Sequence, residues 1–383
     1  MNRRFSARRA RYLERYGRGD RWRLQSPPSE PVDIAVVVPV YDEVDQLDET
    51  LAALESSIEV FAGRGHVVLV VNEHRESPEA AKASNRAALR VLGERWRAPW
   101  LGLVDAASEG LAFDGVDEGV GLARRIGADL LLPYCAPRTV LAHLDADTRV
   151  PREYLSRLVE RLSAAEPRAA VLDFRHRVVD PRLGEAVRTY ERFLKTTAAR
   201  LAAIGSPYGY VALGSAMASN VAAYLDVRGV PVRAAGEDFY FLQKLAKSCG
   251  VVTLDELCVE PAARLSKRVP FGTGRRLEAA QNGVDPSQLF YDEPAFELFA
   301  AFRRLARGAF DHDGQELRRV IGRLNPMLPA LLERQGLLRR WEKLRRSAAE
   351  PRRFAEQFDR WYDALKTLQF LRYVSLHHSE SRR

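Results

Sequence analysis

The chain is 383 residues long, 46% hydrophobic and 29% charged, with a formal net charge of +8. That length accommodates one large domain, or a domain with an appendage, and the composition excludes disordered and fibrous classes. No apolar run approaches the roughly 18 residues with which a helix crosses a bilayer.

In chain order, residues 1–24 come first, with nine arginines against Glu14 and Asp20, a local +7 that leaves the remainder near neutral. Such a basic arm can touch an anionic membrane peripherally; a solvated or docked helix is the plainer reading. Phe5, Tyr12, Tyr16 and Trp22 argue that it packs somewhere. Its start, Met1-Asn-Arg-Arg-Phe-Ser-Ala-Arg-Arg, has no apolar h-region, so no secretory signal is expected. Cys135, Cys249 and Cys258 lack metal or redox spacing and suit reduced thiols, so a cytoplasmic protein is expected, with no nucleic-acid partner. After Pro27-Pro28 the pattern alternates. Strands are predicted at 34–40, 66–71, 101–104, 140–144 and 169–177. Helices are predicted at 45–61, 80–92, 119–127, 151–163 and 183–204. This alternation implies a layered, Rossmann-like α/β fold with a mostly parallel sheet. From residue 287 the spacing of Leu317, Leu328, Leu331, Leu337, Trp341 and Trp361 is helical. The expected organisation is a basic arm over 1–30, an α/β domain over 31–284 and a helical region over 285–383.

Chemistry-bearing residues collect where the predicted strands end. The run 140–144 stops at Asp145-Ala146-Asp147, a carboxylate pair suited to a divalent cation that must also hold phosphate oxygens. Helix capping is the plain alternative, and a second Asp-x-Asp, Asp311-His312-Asp313, lies between helical segments. The first strand ends in Pro39-Val40-Tyr41-Asp42-Glu43 and the second in Asn72-Glu73. Gly236-Glu237-Asp238 opens an apolar-periodic helix. Arg264–Arg275 mixes glycines with cations in a loop that could cradle phosphate or simply turn the chain.

The order of these pieces resembles glycosyltransferase family 2, nucleotide-sugar enzymes of the GT-A fold, over roughly residues 32–265. The resemblance implies that Pro39, Tyr41 and Glu43 surround the base and ribose of a UDP- or GDP-sugar, with Asn72 on the base edge. Asp42 stands where the family commonly has asparagine, and Asn72 where it often has aspartate. Arg124 is implied near the nucleotide, Asp145 at the donor and Asp147 on Mn²⁺ or Mg²⁺, with Asp145 a second candidate metal ligand. Ser215, in Gly214-Ser215-Ala216, falls where the family builds its acceptor pocket. Glu237 belongs to the substrate site and Asp238 is the implied catalytic base of an inverting, hexosyl-type transfer to an acceptor hydroxyl. His312, His377 and His378 are candidates for a late metal-ligating histidine. The Gln-x-x-Arg-Trp signature of processive synthases is absent, which implies single transfer. A sugar-1-phosphate nucleotidyltransferase, which would usually show an early glycine-rich loop, and a non-catalytic nucleotide-binding scaffold are the alternatives.

Overall fold

The computed structural model describes residues 3–264 and 272–380, without the side chains of Ser379 and Glu380. Residues 265–271, the centre of the glycine- and cation-rich loop, lie outside the described residues. The chain divides into two units. The first comprises residues 1–192 and 211–286, the second residues 193–210 and 287–383. Residues 1–30 belong to the first unit, and residues 193–210 join the second.

In the first unit, helix α1 (Arg3–Tyr16) and strand β1 (Leu24–Gln25) precede a βα alternation. This runs through β2 (Val32–Val40), α2 (Val44–Val60), β3 (Gly65–Asn72), α3 (Glu79–Glu94), β4 (Leu101–Ala106), α4 (Val120–Leu131) and β5 (Cys135–His143). It continues with β6 (Thr148–Arg149), α5 (Tyr154–Leu162), β7 (Ala169–Phe174), β8 (Arg177–Val178) and α6 (Gly184–Ala203), whose second half groups with the other unit. The unit closes with β9 (Met217–Asn220), α7 (Val221–Asp226), α8 (Glu237–Ser248), β10 (Val252–Ala263) and α9 (Thr273–Gln281). The strands form one sheet ordered β1-β4-β3-β2-β5-β9-β7-β10-β6, with β8 beside β10. Its run β4-β3-β2-β5 is parallel, and β9 inserts antiparallel between β5 and β7. The fold is therefore α/β with a mostly parallel core sheet, as the apolar runs predicted. Residues 34–38 and 67–71 are fully buried, the signature of parallel strands covered on both faces. α4 lies directly on that sheet: a Cβ at Gly127 would come within 2.5 Å of Val37 and 2.9 Å of Val70. Pro39 sits past the last β2–β5 pair, Val37↔His143, where that ladder has ended and a missing N–H costs nothing.

The basic arm is an integral part of this unit. On α1, Phe5 and Tyr12 are buried along one helical face. The Tyr12 and Tyr224 hydroxyls each donate to Asp129 Oδ1 at 2.8 Å, and the Arg18 N–H donates to Asp129 Oδ2 at 3.1 Å. Arg8 pairs with Asp226, Arg9 donates to the Leu132 carbonyl at 2.9 Å, and Arg21 donates to the Gly110 and Ala112 carbonyls. Partition by unit relocates the charge. The first unit, arm included, holds 38 basic and 38 acidic residues, whereas the second holds 21 basic against 13 acidic, so the whole +8 resides there.

His66, at the start of β3, is 2% exposed and its Nε2 has no partner. Burial holds the imidazole down at about 4. The unfolded chain takes up its proton near pH 6.5. A folded value below the unfolded one means that this contribution is complete above pH 6.5 and is lost as pH falls toward 4, on the order of 3 kcal/mol. His66→Leu should therefore flatten the decline in Tm between pH 6.5 and 4.5. An unchanged decline would remove His66 as its source.

The second unit adds α10 (Glu293–Gly308), α11 (Gly314–Leu324), α12 (Leu328–Arg334), α13 (Leu337–Arg346), α14 (Pro351–Trp361) and α15 (Ala364–Glu380). Its core is aromatic: Phe302 stacks on Phe370 at 5.4 Å, and Trp341 meets Phe354 edge-on at 5.1 Å. Leu201 of α6 is part of that core, which explains why 193–210 groups with this unit. Asp313 caps α11, accepting from the Glu316 N–H at 2.8 Å, so the second Asp-x-Asp ends in a helix cap. No described helix is long and apolar enough to cross a membrane.

Candidate functional site

Three neighbouring parallel strands, β3, β2 and β5, deliver Asn72-Glu73, Tyr41-Asp42-Glu43 and Asp145–Asp147 to one carboxyl edge of the sheet. This is where open α/β sheets bind ligands. Buried Asn85 of α3 joins the first two ends. Its Oδ1 accepts from the Asp42 N–H at 2.9 Å, and its Nδ2 donates to the Asn72 carbonyl at 3.3 Å and to Glu73 Oε2 at 3.1 Å. Asp42 is held at a left-handed φ of 55°, a conformation that favours Gly, Asn and Asp. Nothing in the motif pattern singles out Asn85. The available signal is a polar residue on the buried helical face of Ala81, Ala88 and Leu92. The side-chain oxygen of Asn72 is buried without a partner. Tyr41 donates to Ser77 Oγ at 3.1 Å, while Pro39 is buried within β2.

Opposite the Asp145–Asp147 turn stands the start of α8. Gly236, left-handed at φ 72°, swings the chain into the helix, a turn that a side chain would strain. Arg124 of α4 joins the two sides and is 1% exposed. Its Nε donates to Glu237 Oε1 at 3.0 Å, its Nη1 to the Leu144 carbonyl at 3.4 Å, and its Nη2 pairs with Asp145. A Cβ at Gly214 would lie 2.4 Å from Arg124 Nη2, so the glycine makes room for the guanidinium. Arg124 is thus an internal tie between two carboxylates. Arg125 turns away to the Val230 and Tyr16 carbonyls. Ser215 is fully buried and its hydroxyl has no partner.

The carboxylates here resist ionisation. Burial, then the Asp238 charge, pushes Glu237 up to about 7 despite Arg124. Asp238 is raised by burial, with Asp145 adding a smaller push; its Oδ1 accepts from the Phe239 N–H at 2.7 Å. Burial, then Glu43 and Asp145, pushes Asp147 up to about 7. Asp145 pairs with Arg124, and the guanidinium of Arg264 answers Glu43 and Asp147. It follows β10, donates from Nε to Asp147 Oδ2 at 3.1 Å and pairs with Glu43 through Nη2. The backbone oxygen of Asp147 is fixed by the Ala262 N–H at 3.2 Å and by Arg177 at 3.0 Å. Carboxylate oxygens are the donor type that Mn²⁺ and Mg²⁺ take. Among the described residues, however, no three His, Cys, Asp or Glu side chains converge closely enough to hold a metal ion. His312, His377 and His378 all belong to the second unit.

No protein-family model matches the chain, and no curated protein does. Some solved structures resemble it loosely. S. aureus TarS 1–349 aligns at 14% identity over 60% of this chain and 60% of that one, with a TM-score of 0.42. The same fragment in complex with UDP-GlcNAc aligns at 13% over 76% and 71%, TM-score 0.40. Mannosyltransferase PcManGT from Pyrobaculum calidifontis, in complex with GDP-Man and Mn²⁺, aligns at 16% over 95% and 93%, TM-score 0.40. The chain spans about 60% of the first of these structures. Superpositions this loose leave function to be read from the side chains.

Proposed function

We propose that the first unit is a glycosyltransferase of the GT-A type, moving a hexosyl group once, with inversion, from a UDP- or GDP-sugar to an acceptor hydroxyl. The observation that carries this reading is the facing of the Asp145–Asp147 turn and the Glu237-Asp238 helix start across buried Arg124. The buried, unpartnered oxygen of Asn72 suits an amino group on a base edge, and the β2 end offers Tyr41 and Glu43 for the nucleoside. Asp145 and Asp147 would hold a Mn²⁺ or Mg²⁺ ion, whose charge offsets that developing on the departing diphosphate. Arg124 keeps Asp145 on the donor side and Glu237 at the head of α8. Asp238 takes the proton from the acceptor hydroxyl as that oxygen attacks the sugar carbon, and its raised pKa makes it a stronger base than an ordinary carboxylate. Cys135, Cys249 and Cys258 are free thiols, in keeping with a cytoplasmic site.

A thermal-shift screen of nucleoside diphosphates with and without Mn²⁺ tests the donor reading, because a ligand that binds only the folded state raises Tm. Asp147→Asn should weaken Mn²⁺-dependent nucleoside diphosphate binding by at least about tenfold, or 1.4 kcal/mol. Asp313→Asn, which touches only a helix cap, should leave that binding unchanged. Equal losses at the two positions, or none at Asp147, would sink the assignment.

A further inference from the structure

Charge is spread unevenly within the second unit. Helix α13 alone holds five basic residues against Glu342, half of the unit's +8. Leu337, Trp341 and Leu344 are buried along one side of it. Arg339, Lys343 and Arg346 recur at steps of four and three on the opposite side, with Arg340 beside them, and all four are exposed. Among the described residues none of these four is in an ion pair. The carboxylates of the helices packed against α13 are engaged elsewhere: Glu316 with Arg319, Glu333 with Arg318, Glu356 with Arg352 and Asp359 with Arg303. Glu342 of α13 itself pairs with Arg345. The acidic loop at 311–313 meets α13 on its inner side, where Trp341 donates to the His312 carbonyl and Arg345 to the Phe310 carbonyl. Glu350, ahead of α14, is exposed and is itself followed by Arg352 and Arg353.

We propose that the outer face of α13 rests on an anionic lipid surface, with Arg339, Arg340, Lys343 and Arg346 answering its negative headgroups. The placement stands on the second unit alone and is independent of the donor-site reading. Helix electrostatics do not account for these cations. Basic residues complement the dipole in a last turn, where Lys343 and Arg346 sit, but Arg339 and Arg340 occupy the first turn, at the positive end. Like charges three and four residues apart on a helix also repel. Among the described residues no carboxylate offsets that repulsion, and a negative surface would. The kind of surface follows from what the face lacks. Single-stranded nucleic acids are held by aromatic stacking between the cations, and the one aromatic of α13, Trp341, is fully buried on the opposite side. A row of cations roughly 10 Å long, from Arg339 to Arg346, instead suits lipid headgroups, which move laterally to meet it. No apolar side chain of α13 is exposed, so the contact is electrostatic and reversible rather than an insertion.

Vesicle co-sedimentation of the full chain tests this, with phosphatidylcholine vesicles made with and without phosphatidylserine. One variant combines Arg339→Gln, Arg340→Gln, Lys343→Gln and Arg346→Gln, and its Tm checks that it folds. A second removes the same charge from exposed positions of α1, through Arg3→Gln, Arg4→Gln, Arg11→Gln and Arg15→Gln. Wild type should bind phosphatidylserine vesicles at low salt, ignore pure phosphatidylcholine, and lose binding as added salt screens the charges. The α13 variant should bind at least about tenfold more weakly, and the α1 variant within a few-fold of wild type. No preference of wild type for phosphatidylserine would overturn the proposal, as would equal binding by wild type and the α13 variant. A larger loss in the α1 variant would overturn it in favour of the arm. Tighter binding of a single-stranded oligonucleotide than of the vesicles, lost in the α13 variant, would overturn the lipid assignment in favour of a soluble polyanion.

Discussion

Asp238→Asn should lower kcat by about 10²- to 10⁴-fold, the usual worth of a positioned general base, while donor binding with Mn²⁺ stays within a few-fold of wild type. The amide keeps the shape of the carboxylate and can still accept from the Phe239 N–H, so α8 should start as before. It cannot take a proton. Glu237→Gln removes a charge that Arg124 already answers and should be milder for turnover, although it leaves the buried guanidinium with one ionic partner in place of two. Steady-state kinetics on the true acceptor, beside nucleoside diphosphate titrations, separate the outcomes. Retained turnover in Asp238→Asn would point to another base or to a retaining mechanism. Loss of donor affinity instead would move Asp238 into the donor site.

Deleting residues 1–24 should abolish the folded first unit rather than merely strip charge from it. A basic arm read from sequence alone is dispensable for turnover, and only its membrane contact should suffer. The structure reverses that expectation. The deletion removes buried Phe5, Tyr12 and Trp22. Truncating a buried Phe or Trp costs about 3–5 kcal/mol, so three of them rival the roughly 5–15 kcal/mol that holds a whole domain together. It also takes the Tyr12 hydroxyl and the Arg18 N–H from Asp129, a carboxylate 2% exposed, leaving Tyr224 and Arg125 to satisfy it. Expression of the truncated chain, its circular dichroism and its melting behaviour are the measurements. A truncated protein with the wild-type melting curve would show that α1 is an accessory after all. Contact of this arm with an anionic membrane would have to compete with the internal partners of Arg8, Arg9 and Arg21.

The sequence by itself determined the local architecture. Apolar runs over 34–40, 66–71 and 140–144 are most simply buried strands, and the spacing of Leu47, Leu51 and Leu54 is helical, because both follow from burying one set of side chains within a short window. It also placed the acidic motifs at strand and helix ends, since those motifs interrupt the apolar pattern. What it could not supply was which polar groups answer one another. Arg124 and Glu237 are 113 residues apart, Arg264 and Asp147 117, and Tyr12 and Asp129 117. A buried charge must find a partner, but any of many opposite charges would serve on paper, and only the tertiary fold selects one. For the same reason Arg124 reads as a candidate ligand contact in the sequence and becomes a tie between carboxylates in the structure, while Asn85 passes for one more helix residue. The antiparallel insertion of β9 and the long β10 that delivers Arg264 were equally out of reach, because strand order depends on long-range pairing rather than on period. The +8 charge likewise takes its meaning from the fold: arginines that look like a free arm are answered within the first unit, and the unbalanced charge belongs to the second.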